Sequence, residues 1–153
     1  MSLKFRIVIF VLLTLWLFGI FYEWFIPVDH YLSITYPIIK RTYSLVCHQD
    51  SHKLIEFNNH KTLVCSRCTG IYIGAFLISL VFLFKVHFTL PSLKIFISVI
   101  LITLFDVLST TFGLYHYTKI IAFTTGLFLG SIAFLYFYFG MKQFIDELNK
   151  DRI

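Results

Sequence analysis

Four apolar stretches, from about Ile7 to Phe25, Thr69 to Phe88, Leu93 to Phe112 and Lys119 to Gly140, constrain this chain more than any other feature. Each approaches the roughly 20 residues that a helix needs to cross the hydrocarbon of a bilayer. With 58% of its residues hydrophobic and only 14% charged, the chain cannot fold in water without exposing apolar surface. Nineteen phenylalanines make helices that are apolar on most faces, as lipid contact requires. The expectation is an all-α integral membrane protein, one polytopic domain over residues 1–153, with four transmembrane helices and a long polar and amphipathic loop between the first and second.

The formal charge of +5 raises nucleic acid as a partner, but the basic residues are scattered between spans and no recognition module accompanies them. Membrane lipid, through its phosphate, is the expected partner, a second copy of the chain stays open as another, and nucleic acid is not expected. Lys4 and Arg6 ahead of the first run resemble a signal peptide. The bulky Trp24-Phe25-Ile26-Pro27 stands where a cleavage site needs small residues, so the first span is expected to be retained. Lys4, Arg6, Lys85 and Lys142 flank span ends, and the positive-inside rule then places both termini in the cytoplasm and the long loop outside.

Trp24 and Pro27 are expected to stop the first helix. In the loop that follows, Tyr31 to Val46 reads as an amphipathic segment lying at the interface, with Ile38, Ile39, Leu45 and Val46 toward lipid or protein. His48 to Leu63 is the most polar stretch, and Asn58-Asn59 is its expected reversal. Cys65 to Thr69 should form the first turn of the second span. Pro91 can open the third helix, residues 113–118 form a tight turn, and Asp146 to Arg152 reads as a solvated tail.

All three cysteines fall beside the start of the second span, in Cys47-His48-Gln49 and Cys65-Ser66-Arg67-Cys68. Thiolates and an imidazole are the donors of zinc, iron and copper sites. Cysteines three apart at a helix start can turn both sulfurs to one side, where the helix dipole favours thiolates. Cys47 can supply a third sulfur by folding back across the polar loop, leaving the fourth position to His48, His52, His60 or a water. Two other readings stay open: a C-x-x-C disulfide with Cys47 free, and inert buried thiols.

Asp106 is the second unusual residue, because a carboxylate inside a span is costly and faces a partner or a water-filled cavity. It is expected to face the helix bundle, as a strut or in a substrate or proton role, with Arg67 and Tyr72 within reach and Thr110, Thr111, Thr118, Thr124 and Thr125 offering hydroxyls nearby. Gly70 with Gly74, and Gly126 with Gly130, are small-x-x-x-small pairs that favour close helix contact.

C-H-Q followed by C-x-R-C-T-G-x-Y resembles the signature of an uncharacterised family of small bacterial multi-pass membrane proteins, a domain of unknown function. The resemblance implies that Cys47, His48, Gln49, Cys65, Arg67, Cys68 and Tyr72 belong to one site, that His48 is a better ligand than His52 or His60, and that the protein resides in a bacterial inner membrane. The chain departs from the family at Lys53-Leu54-Ile55, where Arg-Ser-Phe is usual, at Asp106-Val107 in place of Asp-Gly, and at Ala122, which replaces an arginine. The reading that follows is a membrane protein with a metal ion, zinc or iron, at Cys47, His48, Cys65 and Cys68, supported by Gln49, Arg67, Tyr72 and Asp106. A thiol-disulfide or quinone-linked oxidoreductase, a metal transport module and a metal-dependent hydrolase are its rivals.

Overall fold

The computed structural model describes residues 3–25, 35–58, 60–84 and 90–150, the side chains of 148–150 excepted. In chain order the α-helices and β-strands among the described residues are α1 (Leu3–Ile20), α2 (Tyr22–Phe25), α3 (Tyr36–Ser44), β1 (Leu54–Phe57), β2 (His60–Cys65), α4 (Ser66–Leu83), α5 (Leu93–Thr111) and α6 (Lys119–Lys150). Helices α1, α4, α5 and α6 are long and apolar enough to cross a membrane, and one falls on each of the four expected spans, with shifted ends. α5 buries Thr103, Asp106 and Ser109 and exposes Leu101, Ile102, Leu104, Leu108 and Phe105, the last 71% exposed. Polar inside and apolar outside is the reverse of a water-soluble helix, and it is the pattern that hydrocarbon solvent selects.

Contacts along the spans fix their directions. Arg6 Nη1, near the start of α1, donates to Phe82 O at 3.1 Å, while Trp16 near its end lies 5.7 Å, ring to ring, from Tyr72 in the first half of α4, so these two helices are antiparallel. α4 and α6 run parallel, Gly70 lying against Phe123 at one end and Phe82 stacking 4.0 Å from Tyr138 at the other. α5 opposes both, since Asp106 meets Arg67 and Phe96 lies 4.5 Å from the ring of Tyr136, whose hydroxyl donates to Pro91 O at 2.7 Å. The spans alternate in direction, and the described part of the long loop collects at one end of the bundle.

Glycine sets the closest contact. A Cβ at Gly70 would stand 2.2 Å from Phe123 O, at Gly74 2.3 Å from Leu127 O, at Gly126 2.2 Å from Arg67 O and at Gly130 2.1 Å from Ile71 O. Both small-residue pairs face each other, and the backbones of α4 and α6 touch where any side chain would hold them apart.

The loop departs from the all-α expectation. β1 and β2 pair antiparallel, with Leu54 opposite Cys65, Glu56 opposite Lys61 and Phe57 opposite His60. The chain reverses where Asn58-Asn59 predicts; Asn58 has φ 50°, a left-handed conformation that asparagine tolerates, and Asn59 lies outside the described residues. Beneath the hairpin Ile20, Tyr22, Tyr43, Cys47, Leu63 and Val64 form a buried cluster. Glu23 ties its pieces together, one carboxylate oxygen accepting from the Tyr36 hydroxyl and the other from Lys61 N at 2.8 Å. Burial, then the Glu23 carboxylate, push the Tyr36 phenol up to about 12, which keeps it a neutral donor. Tyr43 closes α3 onto α1 by donating to Trp16 O at 2.7 Å.

Three boundaries differ from expectation. The first span breaks after Ile20 into the short α2, and Pro27, its expected stop, lies outside the described residues, as do 31–34 of the amphipathic segment and 85–88 of the second span. Ser92 takes the N-cap position of α5, so Pro91 precedes the helix and does not open it. The fourth helix continues past Gly140 to Lys150, because residues 141–150 are good helix formers and Gln143 reaches Glu147 one turn on at 3.3 Å; Arg152 lies outside the described residues.

Candidate metal centre

Two segments that are distant in sequence bring the sulfurs together. Cys65 is the N-cap of α4, extended at φ −64° and ψ 159°, so the chain turns from β2 into the helix at the residue that carries the thiol. Cys68 follows three positions later, in the first helical turn. Cys47 arrives from the other side: its amide donates to Tyr43 O at 3.0 Å, just past the end of α3. Gln49 then holds the segment down, with φ 50° and Nε2 donating to Lys40 O at 3.0 Å and to Leu63 O at 2.9 Å.

The sulfurs of Cys47, Cys65 and Cys68 lie within 4.8 Å of one another, and all three thiols are free. Cys47 is buried and the other two are half-buried. The Cys65 amide donates to Cys47 Sγ at 3.2 Å, a bond that favours sulfur as thiolate. Hydrogen bonds from the side chains of Cys65 and Cys68, the Cys65 contribution first, hold the Cys47 thiol far below the usual thiol range, and the contact with Cys47 pushes the Cys65 thiol up. Zinc with sulfur at about 2.3 Å sets tetrahedral thiolates somewhat under about 4 Å apart, so these donors fit a metal ion after a small inward adjustment.

The other sequence candidates separate into three groups. His48 and His52 are exposed, His60 is half-buried on β2, and none of them joins the sulfurs within that distance. Gln49 is a strut for the Cys47 segment, and Tyr72 packs on the cluster that contains Cys47, its ring against Trp16. Arg67 points to α5, where it pairs with Asp106; the same carboxylate accepts from Tyr115. Asp106 is 6% exposed and faces the bundle, as its charge demands.

Thr110, Thr111, Thr124 and Thr125 do not gather at that carboxylate, for each hydroxyl bonds a carbonyl of its own helix; Thr118 bonds the nearby His116 O. Tyr115 and Glu23 were not legible as partners, since nothing local in the sequence marks a tyrosine after a helix end or a glutamate before one. Next to the cluster, the Lys53 ammonium lies 5.7 Å from the Tyr117 ring, and Ser66 Oγ donates to Lys53 O at 3.0 Å.

The sequence matches a family model described as "Predicted membrane protein (DUF2085)" over residues 47–136, a stretch that starts at Cys47 and contains Cys65, Cys68 and Asp106. An uncharacterized protein of Methanothermobacter thermautotrophicus, an archaeon, is 34% identical over 83 residues, 54% of this chain and 75% of that relative. No solved structure matches the chain.

Proposed function

The chain belongs to the DUF2085 family of predicted membrane proteins, and on that footing we propose that it is an integral membrane protein whose Cys47, Cys65 and Cys68 bind one zinc or iron ion at the membrane interface. The observation that carries this reading is the convergence of three sulfurs from two segments to within 4.8 Å, with a backbone amide on one of them. Three thiolates are soft, anionic donors suited to either ion. His48 is the favoured fourth ligand on the resemblance of C-H-Q to the family signature, and it would have to turn inward from its exposed position to reach the sulfurs; with His48 the site is closed and structural, and with a water in its place the site is open to chemistry.

A second reading has its own observation. Three free thiols this close together can take part in disulfide chemistry, two of them giving up two electrons and two protons to a quinone-type acceptor as the S–S bond forms. Metal transport is less well served, since the buried Asp106 is committed to Arg67 and Tyr115. The reading further takes the chain as one domain in a bacterial inner membrane, with lipid as its surroundings, no nucleic acid, and a second copy as an open partner.

Protein purified without chelator is expected to hold one ion per chain by elemental analysis, and Cys47→Ser or Cys65→Ser to lose it. A parent that holds no metal and shows a Cys65–Cys68 disulfide with Cys47 free by mass spectrometry sinks the metal reading and moves the redox one ahead. Gln49→Ala tests the strut separately. Supports of this kind change metal affinity by about 10–100-fold, so the variant should surrender its ion to a competing chelator at correspondingly lower concentration with unchanged far-ultraviolet circular dichroism.

A further inference from the structure

Away from the sulfurs, the outward face of α3 combines aliphatic side chains and cations that no ion pair or core packing among the described residues absorbs. α3 packs inward through Ile39 and Tyr43 and leaves Ile38 68% and Leu45, just past its end, 84% exposed, with Val46 beside it. Lys40 and Arg41 are also exposed. Two other cations of this loop are neutralised, Lys53 by Asp50 at 3.3 Å and Lys61 by Glu56 at 3.6 Å. Among the described residues Lys40 and Arg41 have no carboxylate partner; the Lys40 ammonium rests only over the Tyr36 ring at 5.8 Å.

The depth of this face is marked by its neighbours. Trp24 and Phe25 are exposed just past the end of α1, and Phe57 of the hairpin lies 6.1 Å from Trp24, a cluster of the kind that sits at headgroup level. α3 lies against this end of the first span, Tyr43 donating to Trp16 O and the Tyr36 ring standing 6.5 Å from that of Tyr22. A short helix with exposed aliphatic side chains and unpaired cations at that depth lies in the interface plane.

We propose that α3 binds the headgroup of an anionic phospholipid, Lys40 and Arg41 meeting the phosphate while Ile38, Leu45 and Val46 enter the acyl region. The site does not depend on any ion at the sulfurs. It does adjoin them, because Gln49 and the Cys47 amide both bond to carbonyls of this helix.

The test uses the full chain in phosphatidylcholine vesicles, with spin-labelled phosphatidylglycerol or phosphatidylcholine as the probe and the immobilised fraction as the readout. At about fivefold per basic residue near the surface, the anionic probe should be favoured at the strongest site on the order of thirtyfold at low salt. The preference should collapse in about 1 M salt, where the screening length is short. Lys40→Gln/Arg41→Gln should remove it and Lys53→Gln/Lys61→Gln should retain it. Equal association of the two probes with the parent overturns the proposal and leaves the face to a second copy or a soluble partner; a preference that survives high salt, or that the Lys53 and Lys61 pair abolishes equally, also overturns it.

Discussion

Gly130→Leu is expected to abolish the folded protein, whereas Gly140→Leu in the same helix should leave it unchanged. A Cβ at Gly130 would lie 2.1 Å from Ile71 O and 2.6 Å from Ile71 Cα, atoms of a helix backbone with no rotamer to yield. The helices would have to part, breaking the contacts at Gly70, Gly74 and Gly126 together. Overpacking by methylenes in a core already costs about 1–3 kcal/mol, and a branched side chain against backbone exceeds that range. Nothing lies within 4 Å of a Cβ at Gly140. Size-exclusion profile and thermal melting of the two variants in detergent check the contrast; equal stability would mean that α4 and α6 do not meet as described.

Asp106→Leu should cost about 3–5 kcal/mol, the price of leaving one partner of a buried ion pair uncompensated. Arg67 would keep its charge in the bundle with the carboxylate gone, and Tyr115 would lose its acceptor. Asp106→Leu/Arg67→Met removes both charges and is expected to recover most of the loss, because an apolar pair of similar volume needs no desolvation. Denaturation of the parent, the single and the double variants reads the coupling directly. A single variant as stable as the parent would dismiss the strut, and a double variant as damaged as the single would show that Arg67 is not its partner.

The spans were legible because bilayer thickness converts directly into a length of apolar sequence. The glycine pairs were legible for a similarly local reason, a four-residue spacing that places both on one helix face. The hairpin was not read, although Asn58-Asn59 marked its turn. Its strands have four and six residues, and β2 is held by Glu23 and the end of α1, contacts that no window around residue 60 contains. Asp106 had to have a partner, but three spans offered candidates and only packing selected Arg67. At the sulfur cluster, proximity of Cys65 and Cys68 followed from helix geometry, while the approach of Cys47 depends on Gln49 in a left-handed conformation and on Tyr43 reaching Trp16, neither of which has a pattern in the sequence.

The glycine contacts constrain when this end of the bundle can assemble during synthesis. Cys47, Cys65 and Cys68 emerge before α5 and α6 exist, yet the backbone of the turn that carries Cys68 rests on Phe123 and Gly126 of the last span. Until α6 inserts beside α4, that turn has no abutment, and Asp106 must also arrive before Arg67 finds its counter-ion. In small zinc domains the ion itself organises the chain. Here the turn that carries Cys68 gains its support only once α6 stands beside α4, so the cysteine cluster takes its final shape after the last span has inserted.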